Sequence, residues 1–272
     1  MRLVAGALAA EATVERRASL GRSRTSVNLR ARRARPPAGR TRGRVKMWIE
    51  RVRRHPKLAG CLGLALVELT GCETEAAAEL EREMVAAEER LRAAHAGRPP
   101  REIELLQPAR RLYRAIGIDP TRHRPSPEAL VRRVLRGEPL PRIHPIVDLG
   151  NLWAVSSGLP VGLYDTARLR GETIEVRLGR PGESYPGIRK AEVRLGGRLV
   201  LADAEGPFGN PTSDSARTAV GPRTRDVLCV MLAPAATSPS LLDRWAAWLR
   251  ERAAAYLAAT AVSAVIPAEP GP

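Results

Sequence analysis

Two stretches of this chain concentrate side chains able to orient a substrate or a water molecule. In the first, Arg142, His144, Asp148 and Asn151 bracket the start of a helix expected over residues 145–157, where free backbone N–H groups favour anions. In the second, Gly206-Pro207-Phe208-Gly209-Asn210-Pro211-Thr212-Ser213-Asp214-Ser215-Ala216-Arg217-Thr218 gathers hydroxyls, an amide, a carboxylate and a guanidinium between two expected strands. That inventory suits holding a water or a substrate amine, with Thr212, Ser213 and Asp214 nearest the chemistry and Asn210, Arg217 and Thr218 around them. The same residue types also make turns and caps with no ligand involved, and a lone imidazole such as His144 is more often structural. No nucleophile-elbow context surrounds Ser213 or Ser215, so a Ser-His-Asp triad is not supported.

The chain has 272 residues and a formal net charge of +16, which resembles a nucleic-acid signature. Two facts discount it. Lys occurs only at positions 46, 57 and 190, so Arg supplies nearly all the positive charge. Residues 1–46 alone hold thirteen basic side chains against two acidic ones, which leaves the rest mildly basic. With one Phe, four Tyr and four Trp, broad base-stacking platforms are a weak reading. Cys61, Cys72 and Cys229 match neither a zinc site nor a disulfide framework, which fits a reduced, cytoplasmic protein. The apolar run at residues 58–69 is too short to span a membrane and contains Glu68.

Organisation follows from the same reading. Residues 1–46 lack the apolar content to offset ordering entropy and are expected to be disordered. They read as an RNA-binding arm, a targeting segment or an over-extended start ahead of Met47. A single domain is expected over residues 47–262, with 263–272 as a flexible tail. Residues 58–69 read as a core strand and 73–96 as a long helix, followed by helices at 108–116, 126–135 and 145–157. Strands are expected at 173–178, 191–195, 198–202 and 227–232, and a last helix opens at Ser238-Pro239. Elements in blocks rather than strict alternation indicate an α+β fold, with helices around a strongly curved or barrel-like sheet.

The segments Arg111-Leu112-Tyr113-Arg114-Ala115-Ile116-Gly117-Ile118-Asp119-Pro120, Ser126-Pro127-Glu128-Ala129-Leu130-Val131-Arg132-Arg133 and Leu140 to Asn151 are similar, as an ordered set, to stand-alone relatives of the tRNA-editing domain in the phenylalanyl-tRNA synthetase beta subunit. Gly158 to Asp165 and Ala202 to Gly206 continue the resemblance, which covers roughly residues 50–235.

The resemblance implies a pocket for the aminoacylated 3′ end of tRNA and hydrolysis of a mischarged ester, with Asn151 and Tyr164 in or beside the pocket. An aminoacyl ester is already activated, so oriented water and oxyanion stabilisation suffice, without a cofactor or metal. Phosphate contacts are expected at Arg132 and Arg133. Synthetase editing domains commonly carry a Pro-x-His-Ala-Phe-Asp-like run; here Gly162 stands in place of the histidine. The alternative is a non-catalytic tRNA- or RNA-binding module of the same fold, and a third reading is action on a small amino-acid derivative. No membrane partner is expected, and the sequence does not fix an oligomeric state.

Overall fold

The apolar run near residue 62 lacks the alternating polar positions of a half-solvated strand, so the strand it forms must be covered on both faces. The computed structural model describes residues 47–75, 78–188 and 190–269. In chain order these form β1 (Val52–Arg54), β2 (Leu62–Thr70), α1 (Ala78–His95), α2 (Gln107–Ala115), α3 (Ser126–Leu135), α4 (Pro145–Ser157), β3 (Val161–Asp165), β4 (Ile174–Leu178), β5 (Ser184–Gly187), β6 (Lys190–Arg194), β7 (Leu199–Asp203), β8 (Gly206–Gly209), β9 (Val227–Pro234), α5 (Pro239–Leu257) and β10 (Thr260–Ile266).

The central sheet runs β10-β2-β9-β3, all antiparallel. On one face Ala65, Val67, Leu69, Cys229 and Met231 join α1, α3, α4 and α5 in a helical core. On the other face Leu62, Leu64, Leu66, Leu228, Val230 and Leu232 pack against the second sheet and α2. That second sheet runs β1-β4-β7-β8, with β1 parallel to β4, and β5 and β6 form a separate hairpin. The layers are therefore helices, central sheet and second sheet.

The α+β class expected from the sequence is the observed one. The expected barrel-like closure is not seen among the described residues, where the three sheets keep separate strand orders with open edges. The segment assigned to a flexible tail needs a correction at its start: Ser263–Ile266 belong to β10 and pair with Leu64–Val67 of β2. Moderate apolar content made this segment read as a tail, and its order comes from a partner strand almost two hundred residues away. The expected disorder of residues 1–46 lies outside the described residues.

Helix α4 is bounded by local chemistry. His144 caps it by accepting from Ile146 N, Pro145 sits in the first turn, and Gly158 ends it in the left-handed conformation with φ 69°. A Cβ on Gly158 would overlap the Leu105 carbonyl. Gly158→Ala is expected to lower stability by at least about 1 kcal/mol, through left-handed strain and this overlap, in a urea unfolding titration. An unchanged midpoint would show that the turn after α4 is not fixed as described.

Candidate functional site

Three of the four tyrosines converge on the loop after β8. Tyr113 of α2 donates to the Pro211 carbonyl at 2.6 Å, Tyr185 of β5 to the Ser213 carbonyl at 2.7 Å, and Tyr164 of β3 to Asp214 Oδ1 at 3.0 Å. The loop also ties itself. Asn210 Oδ1 accepts from Thr212 N, while Asn210 Nδ2 donates to the Leu199 carbonyl at 2.8 Å. Each bond fixes backbone that would otherwise turn freely, so the Asp214 carboxyl is presented from a rigid frame.

Asp214 Oδ1 accepts from both Tyr164 and Asn210 N. Oδ2 has no hydrogen-bond partner among the described residues. Burial pushes the carboxyl up to about 6, against the lowering effect of those two bonds. At neutral pH it is largely ionised but basic enough to take a proton from water.

The Tyr164 ring lies edge-on to Phe208, with centroids 4.9 Å apart, and its hydroxyl lies over both Gly162 and Gly209. A Cβ at either glycine would overlap that hydroxyl. The space a side chain at 162 would need is therefore filled by the phenol two residues later on the same strand face. Glycine at 162 and tyrosine at 164 are one arrangement, and it carries no imidazole.

Asn151 lies on the other side of β3. Its neighbour Gly150 approaches Leu163, which belongs to the helical core, whereas Tyr164 belongs to the opposite core. Successive strand residues face opposite ways, so α4 and the Asp214 loop flank β3 rather than share one of its faces. β3 is an edge strand. Pro160 and Thr166 bond toward β9, and Asp165 N bonds outward to the Thr218 carbonyl at 2.9 Å. By the same alternation, Val161 and Leu163 direct their N–H and C=O groups outward, without partners among the described residues. Asn151, half-buried, makes no side-chain hydrogen bond there either.

Most of the other residues singled out from the sequence bond within the protein. Arg142 grips Glu81 through two bonds of 2.9 and 2.8 Å and also reaches Glu88, which holds the loop before α4 against α1. Asp148 accepts from Ile143 N at 2.8 Å, and burial lifts its carboxyl to about 6. His144 spends Nδ1 on the helix cap; burial and then Arg225 lower its pKa, and Nε2 is buried without a partner among the described residues. Arg217 forks onto Asp203 at 2.8 and 3.0 Å, and Thr218 is fully buried. Arg133 donates to the Pro139 carbonyl and pairs with Glu138, while Arg132 reaches Glu128 at 3.6 Å. Most of these contacts brace local structure, and Arg132, with its loose contact, is the least committed of these residues. Of the expected site residues, Asn151, Thr212, Ser213 and Asp214 retain unengaged side-chain atoms, as do His144 at Nε2 and Thr218 at its hydroxyl. Tyr113 and Tyr185 were not singled out for a site role, because bonds to a loop about a hundred and about thirty residues away leave no local signature.

Comparison with known proteins agrees with the family resemblance. Residues 108–240 match the B3/4 domain, which is consistent with a relative of that domain of the phenylalanyl-tRNA synthetase beta subunit. Over 84 residues, 30% of this chain, it is 39% identical to the phenylalanine–tRNA ligase beta subunit of Symbiobacterium thermophilum; the match spans 9% of that subunit. A solved N-terminal fragment of the phenylalanyl-tRNA synthetase beta subunit from Pyrococcus horikoshii aligns at 12% identity and TM-score 0.42, covering 80% of this chain and 54% of that one. No described helix is long and apolar enough to cross a membrane, and the described residues hold no cluster of metal-ligating side chains.

The raised carboxyl of Asp214 has a signed consequence. Its folded value of about 6 exceeds the ordinary 3.8, so the native state holds the proton more tightly, and this contribution to stability is lost as pH rises from about 4 to 6. Asp148 has the same sign and remains in an Asp214→Asn variant. The stability of the wild type relative to Asp214→Asn is expected to fall by on the order of 1–3 kcal/mol across that window, measured by denaturant unfolding at each pH. A pH-independent difference would mean that the carboxyl titrates normally.

Proposed function

We propose that the chain binds the aminoacylated end of a tRNA at the outer edge of β3 and hydrolyses the ester with a water activated by Asp214. The observation that carries this reading is the B3/4 match over residues 108–240, because that span includes both α4 with Asn151 and the loop with Asp214. The chemistry is compatible with the residues present. A carboxylate with a pKa of about 6 is a competent general base, and the free N–H groups of Val161 and Leu163 with the Asn151 amide are donors for a developing oxyanion or the substrate carbonyl. Ester bond cleavage then needs one water, whose proton passes to Asp214 while the tRNA 3′-terminal ribose oxygen leaves and is reprotonated.

One feature of the site favours the second reading, a binding module without turnover. Tyr164 fills the space beside Gly162, so any mechanism that needs an imidazole there is closed.

Deacylation of a panel of charged tRNAs separates the two. Turnover is expected, with a loss of about a hundredfold in Asn151→Ala and in Asp214→Asn, the latter keeping the oxygen that accepts from Tyr164. Tight binding of charged tRNA without turnover would establish the module instead. Absence of both binding and turnover would remove tRNA as the partner.

A further inference from the structure

A polar cavity lies between α2, α3 and the turn at residues 99–101. It has a volume of about 290 Å³, and Arg101, Arg110, Arg124, Arg132 and Glu128 line it together with three prolines, Pro99, Pro100 and Pro120. Three guanidiniums, those of Arg110, Arg124 and Arg132, approach the one carboxylate. Glu128 is 2% exposed and its charge is already met by Arg110, also buried, at 2.6 Å. Removing either partner would strand a buried charge, so this pair is the structural part of the cluster.

Arg124 and Arg132 are in a different position. Arg132 sits one helical turn after Glu128 in α3 and Arg124 lies just before the helix begins, and both approach the same carboxylate. Their contacts with it are loose, at 3.9 and 3.6 Å, and their side chains are 42% and 40% exposed. Arg101 is more exposed still and touches Glu102 at 3.5 Å. The cavity thus keeps a surplus of positive charge with planar N–H donors that the protein does not saturate. Arg133, the neighbour of Arg132, shows the contrast: its guanidinium is held by Pro139 and Glu138.

We infer that this cavity binds a terminal phosphate monoester, the group at the 5′ end of an RNA. A monoester near pH 7 carries between one and two negative charges and three terminal oxygens, which suits several guanidiniums converging from different directions. A backbone diester offers one charge and must enter and leave as a strand. The three prolines of the lining supply no N–H groups to track such a strand. The choice of RNA rests on the function proposed above; the phosphate recognition rests on the cavity itself.

Two probes separate these dependencies. The first compares binding of one tRNA carrying its 5′ phosphate with the same tRNA after phosphatase treatment. Wild type is expected to bind the phosphorylated form about tenfold more tightly, and Arg124→Ala/Arg132→Ala to bind both forms alike. The second probe is the melting temperature in millimolar inorganic phosphate against chloride at equal ionic strength, where wild type is expected to gain stability and the double variant is not. Arg132→Gln serves as a milder variant if the double one misfolds. Equal binding of both RNA forms by wild type overturns the 5′-end assignment and leaves tRNA binding intact. If neither RNA binds, the function proposed above fails, and the phosphate melt alone decides the cavity: equal shifts in wild type and variant overturn it.

Discussion

The structure depends on two strands that have no solvent face. β2 and β9 are buried along nearly their whole lengths, and an antiparallel pair covered on both sides requires a layer above and a layer below. Helices α1, α3, α4 and α5 form one cover; the second sheet and α2 form the other. Burying these strands is worth roughly 25 cal/mol for each Å² of apolar surface removed from water, which far exceeds any single polar contact at the periphery. The candidate site inherits its geometry from this demand. β3 sits at the edge of the central sheet, so it is the line where the two layers meet the solvent together.

Alternation along β3 then assigns partners. Leu163 turns toward α4 and Tyr164 toward the second sheet, which sends Asn151 and Asp214 to opposite flanks of one strand. The glycine at 162 follows from the tyrosine at 164, whose hydroxyl occupies the adjacent space and spends its proton on Asp214. The substitution that looked, in sequence, like the loss of a functional histidine is in structure the room made for a phenol–carboxylate bond. That bond and the Tyr113 and Tyr185 bonds hold the loop in one conformation, so the carboxylate is preorganised without a ligand.

Much of the fold was legible from local signals. Periodicity and caps located both ends of α4 and the start of α5 almost to the residue, because Pro145, Gly158, Ser238 and Pro239 act on their own neighbours. β10 was not legible, since its order depends on β2. β8 was read as part of a polar loop, because Gly206 to Gly209 has a turn composition and pairs only through β7. The site was legible as a set of residue types and less so as roles. Arg142, Asp148, Arg217 and Asn210 are suited by chemistry to hold a substrate or to brace a loop, and in the structure they bond to Glu81, Glu88, Ile143, Asp203 and Leu199. Those partners are distant in sequence except Ile143, so spacing carries no trace of them.

The most direct test of the central claim, that a charged tRNA end meets the outer edge of β3, is amide hydrogen exchange with a tRNA whose amino acid is joined by a non-hydrolysable amide. The amides of Val161 and Leu163 should exchange rapidly in the free protein and become protected on binding, along with the backbone near Asn151. Protection confined to other surfaces, with Val161 and Leu163 exchanging as in the free protein, would contradict the account.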